Sequence, residues 1–142
     1  CRLKSVKMKT HHQILIVGGG NAGITAAAQL LRANVQLDIA IIEPGDKHYY
    51  MPAWTLVGAG VYDMKDTIHE EAEVIPDKAK WIKDYVVKFE PDHNRLITKS
   101  GHEYTYDVLI TGSGIQMNWH LVKGLKETLG RNGVTSNYHK DY

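Results

Sequence analysis

The run Gly18-Gly19-Gly20-Asn21-Ala22-Gly23 constrains this chain more than any other stretch, because it fits a GxGxxG turn and separates two segments of different period. Before it, Gln13 to Val17 is a short, mostly apolar run of the kind that forms a buried strand. After it, Ile24, Ala27, Ala28 and Leu31 recur at i, i+3, i+4 and i+7, which predicts a helix over 21–34 with Asn34 at its end. Asp38 to Glu43 reads as a second buried strand stopped by Pro44-Gly45. Strand, helix and strand within about thirty residues predict a crossover onto a parallel sheet, and so an α/β fold.

Each glycine of the turn has a physical task. Gly18 permits the tight turn, Gly20 lets backbone approach a pyrophosphate, and Gly23 lets helix and strand pack closely. The N–H groups at the start of the helix then meet the phosphates. Glu43 lies twenty residues beyond Gly23 at the end of the second strand, where a carboxylate accepts hydrogen bonds from both hydroxyls of a ribose. An acid there selects an unphosphorylated ribose, hence FAD or NAD rather than NADP. The alternative is a glycine-rich turn in an ordinary α/β unit, with Glu43 a solvated strand end.

The stretch from Pro44 to Pro76 mixes aromatics, prolines and glycines without a sustained period; it reads as a long excursion with one helical turn after Pro52 and another near Asp66 to Glu73. Trp81-Ile82 and Tyr85 to Phe89 have strand composition, and Arg95–Lys99 and Glu103–Tyr106 flank Ser100-Gly101 as a hairpin. Asp107 to Thr111 reads as a further buried strand running into Gly112-Ser113-Gly114, a second small-residue turn at a carboxyl end of the sheet. Tyr49, Tyr50 and Trp54 are expected to be core or ring-packing residues, and His11-His12 an exposed pair before the first strand.

Charge and composition exclude several classes. The net charge of +1 includes Arg2, Lys4, Lys7 and Lys9, without which 13 bases face 16 acids. A slightly acidic body is a poor nucleic-acid footprint. The basic start, residues 1–12, is expected to be an extension, either a frayed terminus or the end of a targeting segment. No apolar run approaches the roughly 18 residues of a spanning helix. The lone cysteine, Cys1, allows no intrachain disulfide. His69-Glu70-Glu71 lacks the second histidine of a zinc-protease motif, no metal site is expected, and there is no GxSxG nucleophile turn.

The segments ILIVGGGNAGITAAAQL, IIEPGDKHYYMPAWTLVGAG, VIPDKAKWIKDYVVKFEPDHN, YDVLITGSGIQMNW and VTSNY together resemble the N-terminal part of the sulfide:quinone oxidoreductases, flavoproteins with two dinucleotide-binding domains. The likeness covers nearly everything from His12 onward, and HYYMPAWTLVGAG is its most specific run. It implies a Rossmann-like FAD-binding domain with a parallel sheet and a small antiparallel β-meander, incomplete, over residues 13–142. It also implies FAD held by Gly18, Gly20, Asn21, Ala22 and Gly23 at the pyrophosphate and by Glu43 at the adenosine ribose. Val86 corresponds to a residue whose backbone meets the adenine. Met51 falls at a flavin-adjacent position where the family usually has glutamine, and Gly112-Ser113-Gly114 stands where it has an alanine-threonine-glycine turn.

In the family, sulfide is oxidised by a pair of redox cysteines, leaving sulfane sulfur on one of them, and two electrons pass through FAD to a quinone. Neither cysteine is in this chain, so no catalytic residue is expected here, and the chain alone is expected not to turn over sulfide. Attachment to a membrane, mitochondrial inner or bacterial cytoplasmic, is expected to lie with a C-terminal segment outside this sequence. Two other readings stay open: a dinucleotide-binding module without redox chemistry, and part of a flavin-linked NADH dehydrogenase.

Overall fold

The computed structural model describes residues 9–141. The basic residues Arg2, Lys4 and Lys7, and Cys1, lie outside the described residues. Strand β1 (His11–Val17) runs into the glycine turn and helix α1 (Asn21–Ala33), followed by β2 (Ile39–Ile42). A two-stranded ribbon of β3 (Lys47–Tyr49) and β4 (Ile68–Glu70) encloses the short helix α2 (Trp54–Gly58) and leads into the turn-long α3 (Glu71–Val74). The strands β5 (Lys80–Ile82), β6 (Val86–Glu90), β7 (Arg95–Thr98) and β8 (Glu103–Thr111) complete one six-stranded sheet in the order β5-β2-β1-β8-β7-β6.

β1 pairs in parallel with β2 on one side and β8 on the other, and β2 pairs in parallel with β5, whereas β6, β7 and β8 form an antiparallel meander. The predicted parallel sheet and meander are therefore both present. Strand alternation divides the core in two. Ile14, Ile16, Ile39 and Ile41 pack with Ala27 and Leu31 of α1 on one face. Leu15, Val17, Ala40 and Ile42 pack with Leu96, Tyr104 and Tyr106 of the meander on the other. With both faces covered, β1 and β2 read as continuous apolar runs.

Four expectations are corrected. The hairpin strand at Glu103–Tyr106 and the strand at Asp107–Thr111 are one element, β8, because no turn residue separates them and the chain passes straight from its antiparallel partner to its parallel one. Its second half is not buried, since Val108 is 51% exposed. His11 and His12 belong to β1 rather than preceding it, and the His12 ring is fully buried with Nδ1 3.0 Å from Asp38 Oδ1. The second predicted helical turn, near Asp66 to Glu73, is interrupted by β4, which pairs with β3.

This partition of the core makes a testable contrast. Leu15→Ala removes a fully buried side chain from the centre of the sheet and is expected to cost about 2–5 kcal/mol, read as a lower denaturation midpoint at unchanged slope. Val35→Ala, at a half-exposed position after α1, is expected to stay within about 0.5 kcal/mol.

Candidate functional site

The parallel strands β1, β2 and β8 end at one level, because Val17 lies in register with both Ile42 and Thr111. The next hydrogen bonds carry that register past the strand ends. Gly18 N–H donates to the Ile42 carbonyl at 2.9 Å, and Gly112 N–H to that of Val17 at 2.8 Å. Glu43 N–H donates to the Ile82 carbonyl at 3.0 Å, and the Trp81 indole holds the Glu43 carbonyl at 2.9 Å. Gly18, Glu43 and Gly112 are thus brought side by side at the carboxyl edge, where strands diverge to either side of β1 and open α/β sheets hold ligands.

The glycines differ in what surrounds them. Gly18 has φ +103°, and a Cβ there would stand 2.3 Å from the Gly112 carbonyl oxygen, so the two small-residue turns touch backbone to backbone. A Cβ on Gly23 would meet the Gly18 carbonyl oxygen at 1.9 Å. At Gly112 a Cβ would stand 3.3 Å from that of Ala22, a tight contact that glycine avoids at the position where the resemblance has alanine. Like Gly114, Gly20 differs from these, with nothing within 4 Å of where its Cβ would be. Its bare backbone faces open space at the head of α1.

That space is one continuous trough. Its first hollow, of about 310 Å³, is lined by Glu43, Asp84, Tyr85, Val86, Phe89 and Ser113. A middle hollow of about 340 Å³ shares Gly18, Glu43 and Ser113 with it. The third, of about 540 Å³, is reached across Gly20, Gly112 and Gly114 and is bounded by Asn21, Ala22 and Met51. The Met51–Ala53 turn is fixed by Trp54, whose indole donates to Thr67 Oγ1 at 3.0 Å and packs edge to face on Tyr49. The trough thus brings together every site residue expected from the sequence except Gly23, which packs beneath it. Tyr49 and Trp54 are packing residues as expected, whereas Tyr50 is 48% exposed.

Two residues that sequence reasoning passed over stand directly behind the turn. His48 is 7% exposed; its Nδ1 lies 3.1 Å from the Gly19 carbonyl oxygen, which can only accept, so Nδ1 carries the proton. Its Nε2 lies 3.0 Å from Asn21 Oδ1, and with the proton on Nδ1 this contact is a hydrogen bond when the Asn21 amide is turned to present its NH2 group there. Glu71 is 1% exposed, with Oε2 3.7 Å from His48 Nδ1 and Oε1 buried without a hydrogen-bond partner. Burial, reinforced by the nearby Glu43 charge, pushes the Glu71 carboxyl up to about 7. Glu43 itself is anchored, Oε2 accepting from Gly19 N–H at 2.8 Å and Oε1 from Gly45 N–H at 2.7 Å. Each oxygen keeps a lone pair for a further donor. The sequence did carry a signal for Glu71. Gly19 is a glycine the GxGxxG pattern does not require, and a Cβ there would stand 2.1 Å from Glu71 Oε1 and 2.7 Å from Glu43 Cγ.

The pattern of the pyridine nucleotide-disulphide oxidoreductases matches residues 12–140. The chain belongs to that family. It is 48% identical over 136 residues to the mitochondrial sulfide:quinone oxidoreductase of Dictyostelium discoideum, a match covering 95% of this chain and 30% of that protein. The mitochondrial sulfide:quinone oxidoreductase of Mus musculus is 40% identical over 130 residues, covering 92% of this chain and 29% of the mouse protein. The X-ray structure of the sulfide:quinone oxidoreductase from Aquifex aeolicus superposes with a TM-score of 0.73 at 24% identity, over 94% of this chain and 30% of that one. The chain therefore spans about 30% of the length of the curated relatives it matches, and the shared fold is the α/β dinucleotide-binding architecture expected from its sequence.

The glycine environments predict opposite outcomes for like substitutions. Gly23→Ala drives a methyl group into the Gly18 carbonyl and is expected to cost about 2 kcal/mol or more, whereas Gly20→Ala, with no steric clash and only the preference of the helix N-cap for glycine over alanine to lose, is expected to cost about 0.5–1 kcal/mol. Thermal unfolding of the two variants side by side checks the assignment.

Proposed function

We propose that residues 13–142 are the N-terminal part of the FAD-binding domain of a sulfide:quinone oxidoreductase. The observation that carries this reading is the open backbone of Gly20 at the head of α1, midway along a trough running from Val86 to Met51, in a chain so similar to mitochondrial enzymes of that name. The residues that line the trough suit the chemistry of FAD. The adenine lies against the backbone at Val86, and Glu43 accepts from the ribose hydroxyls with the lone pairs that Gly19 and Gly45 leave free. The pyrophosphate lies across Gly18, Gly20, Asn21, Ala22 and the turn Gly112-Ser113-Gly114, where backbone N–H groups and the start of α1 offset its charge. Gly23 beneath holds α1 close to β1.

The wider hollow at Met51 takes the redox-active end of the cofactor. Methionine offers no hydrogen bond to it where the family usually has a glutamine, so Met51 acts there by packing and by excluding water. Bound in the trough, FAD supplies two-electron carrier chemistry between sulfide and a quinone. This chain's residues bind and orient the cofactor; its one cysteine, Cys1, precedes β1, and the cysteine pair that sulfide oxidation requires is not in this sequence. We place the whole enzyme at a quinone-bearing membrane, mitochondrial inner or bacterial cytoplasmic. Among the described residues no helix is long and apolar enough to cross it.

The test is the visible spectrum of the purified protein after incubation with FAD and removal of the free cofactor. Flavin is expected to stay at close to one per chain; in a longer protein that also carries the cysteine pair it is expected to bleach faster with sulfide than with NADH, and faster bleaching by NADH there would indicate a flavin-linked NADH dehydrogenase. Glu43→Arg loses two charge-assisted hydrogen bonds, of about 1.5–3 kcal/mol each, and is expected to weaken FAD binding by at least about a hundredfold. Gly20→Val, which projects into the open trough, is expected to lose the flavin with an unchanged circular dichroism spectrum. Wild-type protein that retains NAD and not FAD would contradict the reading.

A further inference from the structure

Glu71 is buried beside a second carboxylate, that of Glu43. Gly19 lies between it and Glu43: Glu43 Oε2 accepts the Gly19 N–H, while Glu71 Oε1 occupies the space a Gly19 side chain would fill. The ring of His48 is interposed, donating to the Gly19 carbonyl from the same nitrogen that lies 3.7 Å from Glu71 Oε2. Backbone hydrogen bonding fixes the position, since Glu71 N–H donates to the Asp46 carbonyl at 2.8 Å. A buried carboxylate with an unpartnered oxygen is costly when charged, and the cost falls when it takes up a proton.

The other charged groups on the surrounding elements do not neutralise it. Lys47 on β3 is paired with Glu70 on β4, and Lys83 after β5 with Asp46; both pairs are exposed. Glu73 on α3 is exposed, and the glycine turn and first turn of α1 carry no charged side chain. What faces Glu71 is therefore His48 from β3 and the Glu43 charge at the end of β2.

We propose that Glu71 is an acidic positioning residue beneath the dinucleotide turn, whose neutral form admits the cofactor's diphosphate and whose charged form opposes it. The inference rests on the reading of the trough as an FAD site. Its electrostatics are simple: a diphosphate across Gly18–Gly20 adds negative charge beside Glu43 and Glu71, and burial favours the neutral form of Glu71. Binding and protonation of Glu71 then favour one another. Because the Glu71 carboxyl is raised to about 7, affinity for FAD increases as pH falls through that value and decreases above it. The diphosphate, adenine and isoalloxazine of free FAD do not titrate near neutrality, so the dependence belongs to the protein.

The experiment measures FAD dissociation from the holoprotein between pH 6 and pH 8, in wild type and in E71Q, whose amide is nearly isosteric and stays neutral. Wild type is expected to bind roughly three- to tenfold more tightly at pH 6 than at pH 8, the range linkage allows one carboxyl that titrates at about 7. E71Q is expected to hold FAD across the range as tightly as wild type does at pH 6, an outcome a merely structural role would not give. Calorimetry of wild type in two buffers of different ionisation enthalpy provides a second measurement should E71Q not fold, with proton uptake between zero and one expected on binding at pH 7. An unchanged pH profile in E71Q, or no proton uptake by wild type, overturns the inference alone. Failure of wild type to hold FAD at any pH overturns the FAD reading and this inference with it.

Discussion

Everything at the site depends on β1, β2 and β8 ending at a common level. Hydrogen bonds from Gly18 to Ile42 and from Gly112 to Val17 extend the ladder one residue beyond the strands, so the two small-residue turns and Glu43 are set by the sheet rather than by loop preference. The sheet in turn is held by apolar packing on both of its faces, α1 on one and the meander on the other. A one-residue slip of β2 against β1 would exchange these two sets of side chains and also move Glu43 away from Gly19. Core packing and site geometry are thus one constraint.

The glycine turn then does two different jobs with one residue type. Toward the protein, Gly18, Gly19 and Gly23 are bare because carbonyl oxygens and carboxyl groups occupy the places where side chains would go. Toward solvent, Gly20 is bare with nothing beside it. Close packing behind the turn is what holds its outer surface in shape, and His48, bonded to Gly19 and facing Asn21, links the turn to the β3–β4 ribbon. The ribbon carries Tyr49 and leads into the Met51–Ala53 turn, so the glycine turn and the Met51 end of the trough are linked through it.

Much of this was legible in the sequence because it follows from short-range rules. Strand, glycine turn, helix and strand are consecutive, and their periods are strong enough to fix β1, α1 and β2 to within a residue or two. The resemblance in HYYMPAWTLVGAG pointed to Met51, which lines the trough. What escaped was set by pairing between distant segments. β4 is three residues long and exists only because β3 lies opposite it, so its sequence reads as the flank of a helix. His12 looks like an exposed terminus until β8 draws it into the sheet. His48 and Glu71 are 23 residues apart, in segments dense with charge, and only the superfluous glycine at position 19 hints at what is buried against it.

The central claim is that this trough holds a flavin dinucleotide in one orientation, adenosine at Val86 and Glu43, flavin ring at Met51. An experimental structure of the FAD-loaded protein tests it most directly. The account predicts the ribose hydroxyls on Glu43, the diphosphate against Gly20 within reach of backbone N–H groups, and the ring in the hollow bounded by Tyr49, Met51 and Pro52. FAD bound elsewhere, or reversed with its ring at Val86, would contradict it.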